Sequence, residues 1–289
     1  PDGITLLAPV ILSILLMSGN WKFRLQQLIL LSLGFVLVFV PYLIFNIQWL
    51  GSWWPTTFYA KQAEYSFLQR IPFWRRFLQQ AALALVGEGA LLLPGFLLTL
   101  FHAARKLRWG ELLVSAWILG YLLMYAWRLP VTYQHGRYVI PMMPIYFLLS
   151  FAGLARFVQL QNRNVSIRIA SRVWLLTTTC LWVIFWIMGG RAFARDVSVI
   201  ESEMVKIADW VKSNTPEDAL IATHDIGAIG YFSERQLLDL AGLISPEVIP
   251  YLWDENHLEE YLNLRGADYL VPFPGWYPVL VTRANLLFQ

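Results

Sequence analysis

Charged side chains are scarce in this chain, 14% of 289 residues, whereas 57% are hydrophobic and 16% aromatic. A disordered segment needs the opposite balance, because too little apolar surface is what keeps a chain unfolded. Cysteine is nearly absent: Cys180 stands alone inside an apolar run, so no intrachain disulfide can form and the redox compartment stays open. Cys and His show no metal-ligand spacing, which argues against protein-ligated zinc. The phosphate-cradling pattern G-x-G-x-x-G is also missing. No basic, apolar and small-residue succession precedes a soluble domain, and the first residue is Pro1 rather than Met, so the native start is expected upstream.

The charge that is present is unevenly divided. Residues 1–190 carry fifteen Lys and Arg against four Asp and Glu, and residues 191–289 carry seven against fifteen, so a net +3 conceals halves near +11 and −8. The cations of the first half fall singly or in small groups between apolar runs, which is a membrane-topology pattern and not a phosphate-tracking stripe. Nucleic acid is therefore not expected as a partner; membrane lipids are.

Six runs, 3–19, 28–45, 81–101, 112–129, 139–155 and 173–190, approach the length needed to cross a hydrocarbon layer. So many in so short a stretch would leave a soluble helical protein without amphipathic helices to cover them. Lys22, Arg24, Arg105, Lys106, Arg108, Arg156, Arg163, Arg168 and Arg172 fall in alternate short connections and mark that side as cytoplasmic. The expected organisation is a transmembrane domain over 1–190, with an interfacial external loop at 46–80, and an extracytoplasmic α/β domain over 191–289. Asn164-Val-Ser, formally a glycosylation acceptor, falls on the cytoplasmic side and is set aside.

Several spans carry interruptions. Pro41, Pro94, Pro141 and Pro144 each remove a helix donor, so neighbouring groups must satisfy the released carbonyls. Glu88, between Gly87 and Gly89, reads as a mid-span carboxylate and hence as an intramembrane polar site facing protein or water. His102, at the cytoplasmic end of that run, belongs to the interface.

Two external connections carry the polar residues of most chemical interest. The first, Trp49 to Tyr65, is dense in aromatics and is followed by Phe73, Trp74, Arg75 and Arg76, a composition suited to a helix lying at headgroup level or re-entering the bilayer. Lys61 within it can meet a lipid-linked phosphate as a compact cation. The second reads Thr132-Tyr-Gln-His135-Gly-Arg137-Tyr138. There Arg137 offers a planar fork for a phosphate or carboxylate, Gly136 permits a sharp turn, and His135 can donate to an oxygen or transfer a proton. Packing at the interface would explain the same residues.

In the acidic tail, Val197, Ile200, Met204, Ile207, Ala208 and Val211 share a face at helical spacing over 195–213. Strands are expected at 219–223, 236–240 and 269–271, with helices opening at Ser245-Pro246 under a serine cap and at Asp254, the latter ending at Gly266. That alternation predicts a small α/β domain with a partly parallel sheet. His224 and Asp225, at a strand end, are its candidate site, with a local cap as the alternative role.

Four motifs occur in order: Trp54-Pro-Thr-Thr-Phe-Tyr-Ala-Lys61, His135-Gly-Arg-Tyr-Val-Ile-Pro141, Ile221-Ala-Thr-His-Asp-Ile-Gly-Ala-Ile-Gly230 and Leu238-Asp-Leu-Ala-Gly-Leu-Ile-Ser-Pro246. Together they resemble the C-terminal part of a bacterial GT-C membrane glycosyltransferase, of the protein mannosyltransferase-like enzymes that use polyprenyl-phosphate sugars. Members often have Asn after the proline of the first motif, where this chain has Thr56. The resemblance implies a GT-C-like all-α polytopic domain with a small external α/β domain, in the plasma (inner) membrane. It also implies transfer of a sugar from a polyprenyl-phosphate donor to a glycan, lipid or protein acceptor on the extracytoplasmic side. Lys61, His135, Arg137 and Tyr138 would serve the donor phosphate or lipid. The acidic catalytic base of such enzymes lies in a loop near their N-terminus, so it is expected outside this chain, as is any divalent cation that loop might hold. A transporter or flippase for lipid-linked sugars would use broken helices and a mid-membrane carboxylate in the same way. A non-catalytic membrane assembly subunit is the third class.

Overall fold

A computed structural model describes residues 2–159, 165–273 and 275–287. Asn164 and Arg163 lie outside them. The chain divides into two compact units, residues 1–42 with 67–189, and residues 43–66 with 190–289.

The first unit is helical: α1 (Leu7–Leu16), most of α2 (Trp21–Leu50), α4 (Phe73–Ala84), α5 (Glu88–Arg105), α6 (Trp109–Arg128), α7 (Met143–Gln159) and most of α8 (Val165–Val199). Among the described residues, four helices are long and apolar enough to cross a membrane: Trp21–Leu50, Trp109–Arg128, Gln134–Gln159 and Val165–Asn214. The pair α4 and α5 makes a fifth if counted as one bent span, and Asp2–Leu16 is apolar but shorter. On α2, Leu37 and Val38 are 76% and 74% exposed, and on α8 Trp186 and Phe193 are 72% and 70% exposed. Side chains of this kind have no place in water in such numbers; a lipid environment is what makes them inexpensive. The chain is thus a multi-pass membrane protein.

The apolar run 81–101 is not one straight helix. It breaks at Leu85–Gly87, and α4 and α5 meet at 100°. Gly87 explains the break: its φ is +63°, and a Cβ there would stand 2.7 Å from the Phe185 ring, so a side chain is excluded by conformation and by space. α4 buries Arg76, Gln80 and Ala84, four residues apart on one face, an amphipathic stripe that suits a helix lying along an interface.

α5 and α7 cross through small residues. A Cβ on Gly153 would meet the Gly95 carbonyl oxygen at 1.8 Å, and one on Gly95 would meet the Ser150 carbonyl oxygen at 2.3 Å. Backbones that close pack without any hydrophobic drive, which lipid does not supply. Thr99 Oγ1 donates to the Leu149 carbonyl at 2.6 Å and Tyr146 Oη to the Gly89 carbonyl at 2.7 Å, adding polar ties across the crossing. At the other end of α7, Arg156 pairs with Glu111 at 2.7 Å.

The second unit is a small α/β layer structure. Its sheet has three parallel strands, β1 (Leu220–Thr223), β2 (Gln236–Asp239) and β3 (Tyr269–Val271), in the order β2-β1-β3. The expected strands are present, and the pairing is parallel throughout. Successive residues of β1 face opposite ways: Ile221 packs with Ala208, Val211 and Ile229, and Ala222 with Leu238, Val248, Leu258 and Leu280. The helices supplying these faces are α9 (Lys206–Asn214), α10 (Ile226–Ser233), α11 (Glu255–Arg265) and the short α12 (Pro278–Arg283). The helix expected over 195–213 is the continuation of α8 through a π-helical turn, Ile200–Val205, into α9. Only from Met204 on does its apolar face meet a core; Val197 and Ile200 are exposed. Asp254 caps α11 and Gly266 ends it at φ +70°, as the sequence requires. Ser245-Pro246 opens a 3-10 helix, Pro246–Tyr251, and the serine makes no side-chain cap bond; its hydroxyl is engaged with Tyr261 instead. α3 (Thr56–Glu64) also belongs to this unit and packs on that 3-10 helix.

Candidate functional site

In the first unit, polar groups gather around the connection after α6. Gln134, His135 and Gly136 have φ of +58°, +55° and +63°, three successive left-handed residues of which only one is glycine. Each non-glycine there costs on the order of 1–2 kcal/mol, and backbone held against such a cost is a mark of functional segments. Neighbours hold the connection in place: Gln80 Nε2 donates to the Val131 carbonyl at 3.0 Å, and Gln69 Nε2 to the Trp127 carbonyl at 2.9 Å. Arg137 is exposed; its guanidinium donates to Tyr138 Oη at 2.8 Å and lies 4.9 Å from that ring. Tyr138 stacks on Tyr125 at 5.6 Å between centroids, and Tyr125 Oη donates to Asp2 Oδ1 at 2.7 Å. A chain of contacts, Arg137–Tyr138–Tyr125–Asp2, hydrogen-bonded at its two ends and stacked at its middle, therefore runs from a cation to a carboxylate. Asp2 was not legible as a site residue. The available signal was weak: it is an acidic residue just outside an apolar run, opposite in charge to the cations that flank the other end.

Glu88, read from sequence as mid-span, is the first residue of α5, at the break after α4. A carboxylate there faces the positive end of the helix dipole, which lowers the cost of its charge. Its Oε2 is buried and has no hydrogen-bond partner among the described residues. His102 Nδ1 contacts the Leu98 carbonyl at 3.0 Å within its own helix, a local structural role.

In the second unit, three of the four motifs converge at the carboxyl ends of the parallel strands. β1 runs to β2 through α10 on one side and β3 lies on the other, so the chain leaves β1 and β3 in opposite directions; ligands of open parallel sheets bind beside that switch in strand order. His224 follows β1 there. Its Nδ1 is 2.7 Å from Tyr277 Oη, and its ring is 4.3 Å from that of Trp276, edge to face. Burial pushes the imidazole below its usual pKa; Lys61 adds to the depression, while Glu64, Asp239 and Asp225 oppose it. The ring is neutral at pH 7. Burial also raises the Tyr277 phenol, helped by Asp239, Glu64 and Glu255, so that hydroxyl stays protonated. Tyr277 has φ +55°, a strained setting for an aromatic residue.

Asp225 is the N-cap of α10, its Oδ1 accepting from Gly227 N at 3.0 Å, which is the local capping role. Gly230, further along that helix, passes so close to β2 that a Cβ would meet Leu237 at 2.8 Å. Lys61 Nζ lies 2.5 Å from Glu64 Oε2 and 5.5 Å from the Tyr65 ring centroid. Glu64 is buried. The ammonium thus has a carboxylate partner already, unlike the exposed Arg137 fork. Asp239, fully buried at the end of β2, accepts from Ala241 N and Ile244 N, each at 2.7 Å. It was the acidic member of a motif, yet its identity as the organiser of this turn was hidden, because sequence does not say which amides a carboxylate will meet. Among the described residues, no group of three or more His, Cys, Asp and Glu could hold a metal ion.

Residues 195–286 match a family described as a domain of unknown function (DUF8728). No curated protein and no solved structure matches the chain.

Proposed function

We propose that this chain works as a membrane glycosyltransferase of the GT-C type, moving a sugar from a polyprenyl-phosphate donor to an acceptor outside the cytoplasm. The observation that carries the proposal is the chain of contacts Arg137–Tyr138–Tyr125–Asp2, hydrogen-bonded at its ends and stacked at its middle, with a guanidinium and a carboxylate at its two ends beside a strained connection between apolar helices. Displacement at an anomeric carbon needs that pair of functions. The acceptor oxygen attacks C1, its proton passes to a carboxylate, and the bond from C1 to the phosphate oxygen breaks. A cation then takes up the charge gathering on the departing lipid phosphate. Arg137 suits the second task, since a planar fork can hold two phosphate oxygens at once. Only the part of that contact that strengthens in the transition state raises the rate. Asp2 offers a carboxylate for the first task, a departure from the resemblance, which puts that base in a loop outside this chain; one of its oxygens accepts from the Tyr125 hydroxyl. The alternation of basic connections supports an external location for both.

The test uses the full-length protein in membranes, with a polyprenyl-phosphate sugar as donor. Arg137→Ala and Asp2→Asn should each lower transfer at least about tenfold at unchanged abundance, the loss expected if each contributes about 1.4 kcal/mol in the transition state. Unchanged transfer in both removes them from the chemistry. Movement of the donor between leaflets without cleavage of its sugar bond would assign the protein to transport instead.

A further inference from the structure

We propose that the carboxyl edge of the second unit's sheet, covered by α3, is a saccharide-binding site in which a sugar ring lies against Trp276 and hydrogen-bonds to Glu64, Lys61 and His224.

The place is set by the strand order: the switch between β1 and β3 is where an open parallel sheet leaves room for a ligand, and His224 and Trp276 follow those two strands. The chemistry is set by the side chains. Trp276 is 43% exposed, and Phe273 packs against it at 5.7 Å, so a partly open indole face is held in a fixed position. A flat apolar face with a few fixed polar groups around it is the usual make-up of a small-ligand site, and the C–H face of a sugar ring is its natural complement. Glu64 accepts hydrogen bonds and Lys61 donates them. With His224 Nδ1 taken by Tyr277, a ligand would meet Nε2. Alternating donors and acceptors match the hydroxyls of a sugar.

Charge decides against a phosphate here. The Lys61 ammonium is balanced by Glu64 at 2.5 Å, the imidazole is neutral, and Asp225 and Asp239 leave the surroundings negative. An anion would be repelled, and a neutral polyol would not. The strain at Tyr277, φ +55° and ψ +52°, adds an independent mark of a working site. Naming the saccharide as the acceptor rests on the transfer reading given above; its binding does not.

The experiment is saturation-transfer NMR on the full-length protein in lipid nanodiscs, with mannotriose, maltotriose, chitotriose and galactotriose as probes. At least one should receive saturation. Trp276→Ala and Glu64→Gln should each weaken its binding at least about tenfold, equivalent to about 1.4 kcal/mol. Trp276→Phe should retain most of the signal, which separates loss of the aromatic face from loss of folding, and Arg137→Ala should leave binding unchanged. Absence of saturation in every probe overturns the proposal, as does binding that survives both Trp276→Ala and Glu64→Gln. Displacement of the bound trisaccharide by sugar-free polyprenyl phosphate would give the site to the donor head and also overturn it. Saccharide binding that follows this pattern in a protein without transferase activity would sink the transfer reading and leave this site standing.

Discussion

Thr56 donates its hydroxyl to the carbonyl of Leu243, a contact between residues 187 positions apart in the chain. The carbonyl is available because Asp239 has already shaped the turn around it, accepting from Ala241 N and Ile244 N. A buried carboxylate at the end of β2 therefore sets the turn, the turn presents a carbonyl, and the carbonyl fixes the first residue of α3, the helix bearing Lys61 and Glu64. Trp253 Nε1 holds the other end through the Ala63 carbonyl at 3.3 Å.

If this linkage carries the position of α3, Asp239→Asn should disturb two segments and Thr56→Val only one. Asn at 239 sets an amide nitrogen against a backbone N–H, and a buried group left unsatisfied costs about 1–3 kcal/mol. Hydrogen exchange on the intact protein should then speed up over both 241–244 and 56–64. Thr56→Val should speed exchange over 56–64 alone, by a similar or smaller energy. Slow exchange in α3 despite Asp239→Asn would show that the turn does not position the helix.

His224 makes a pH prediction with a definite sign. Its folded pKa lies below the ordinary 6.5, chiefly through burial, so the unfolded chain takes up a proton that the folded chain refuses. The stability is present above pH 6.5 and is lost as the pH falls through the folded pKa. His257 works the other way: its pKa is raised through the Asp254 hydrogen bond, so its contribution is present at low pH and lost as the pH rises through the raised value. His224→Gln should therefore remove the loss below neutrality. Thermal melts of wild type and variant between pH 5 and pH 8 check it; parallel curves would mean that His224 titrates alike in both states.

The sequence made the membrane region and the α/β unit legible for different reasons. Apolar runs report their environment directly, and the strands at 220–223, 236–239 and 269–271 are short apolar stretches bounded by turn residues. The break at Gly87 was not legible as a right-angle turn, since what forbids a side chain there is Phe185, almost a hundred residues later. Glu88 consequently looked like a mid-span charge. His224 and Asp225 were found together as a pair yet do different work: Asp225 caps α10 locally, and His224 meets Tyr277 from the far end of the domain. Lys61 was visible as a cation, but its pairing with Glu64 one helical turn on was not. Asp2 gave almost no signal, because its partners, Tyr125 and beyond it Tyr138, are distant in sequence.

The crossing of α5 and α7 gives a steric prediction. Gly153→Ala would drive a methyl into the Gly95 carbonyl, 1.8 Å away, and the obstacle is backbone, which cannot swing aside. Overpacking of this kind costs roughly 1–3 kcal/mol or more. Gly120 on α6 is the control, because a methyl added there would have nothing within 4 Å. Gly120→Ala should be neutral or stabilising by about 0.5–1 kcal/mol, because alanine loses less freedom in a helix. Thermal melts in one detergent should rank Gly153→Ala below wild type and Gly120→Ala at or above it; equal loss in both would mean that the crossing is not held at this distance.

Pro94 has no N–H to give the helix ladder of α5, so the Ala90 carbonyl, four residues before it, loses its ladder partner in the same turn that carries the Leu91 carbonyl. Trp174 on α8 answers that: its Nε1 donates to the Leu91 carbonyl at 2.7 Å, and its ring packs edge to face on Phe157 at 5.7 Å. In lipid no water can replace that donor. Trp174→Phe keeps an aromatic ring and removes the N–H, and should cost about 0.5–1.5 kcal/mol, the net worth of one hydrogen bond. Pro94→Ala lets the ladder close on its own, so the same change at Trp174 should then cost less. A double-mutant cycle of melting free energies should give a coupling of at least about 0.5 kcal/mol. Additive losses would mean that the indole packs against α5 without supporting the turn that the proline weakens.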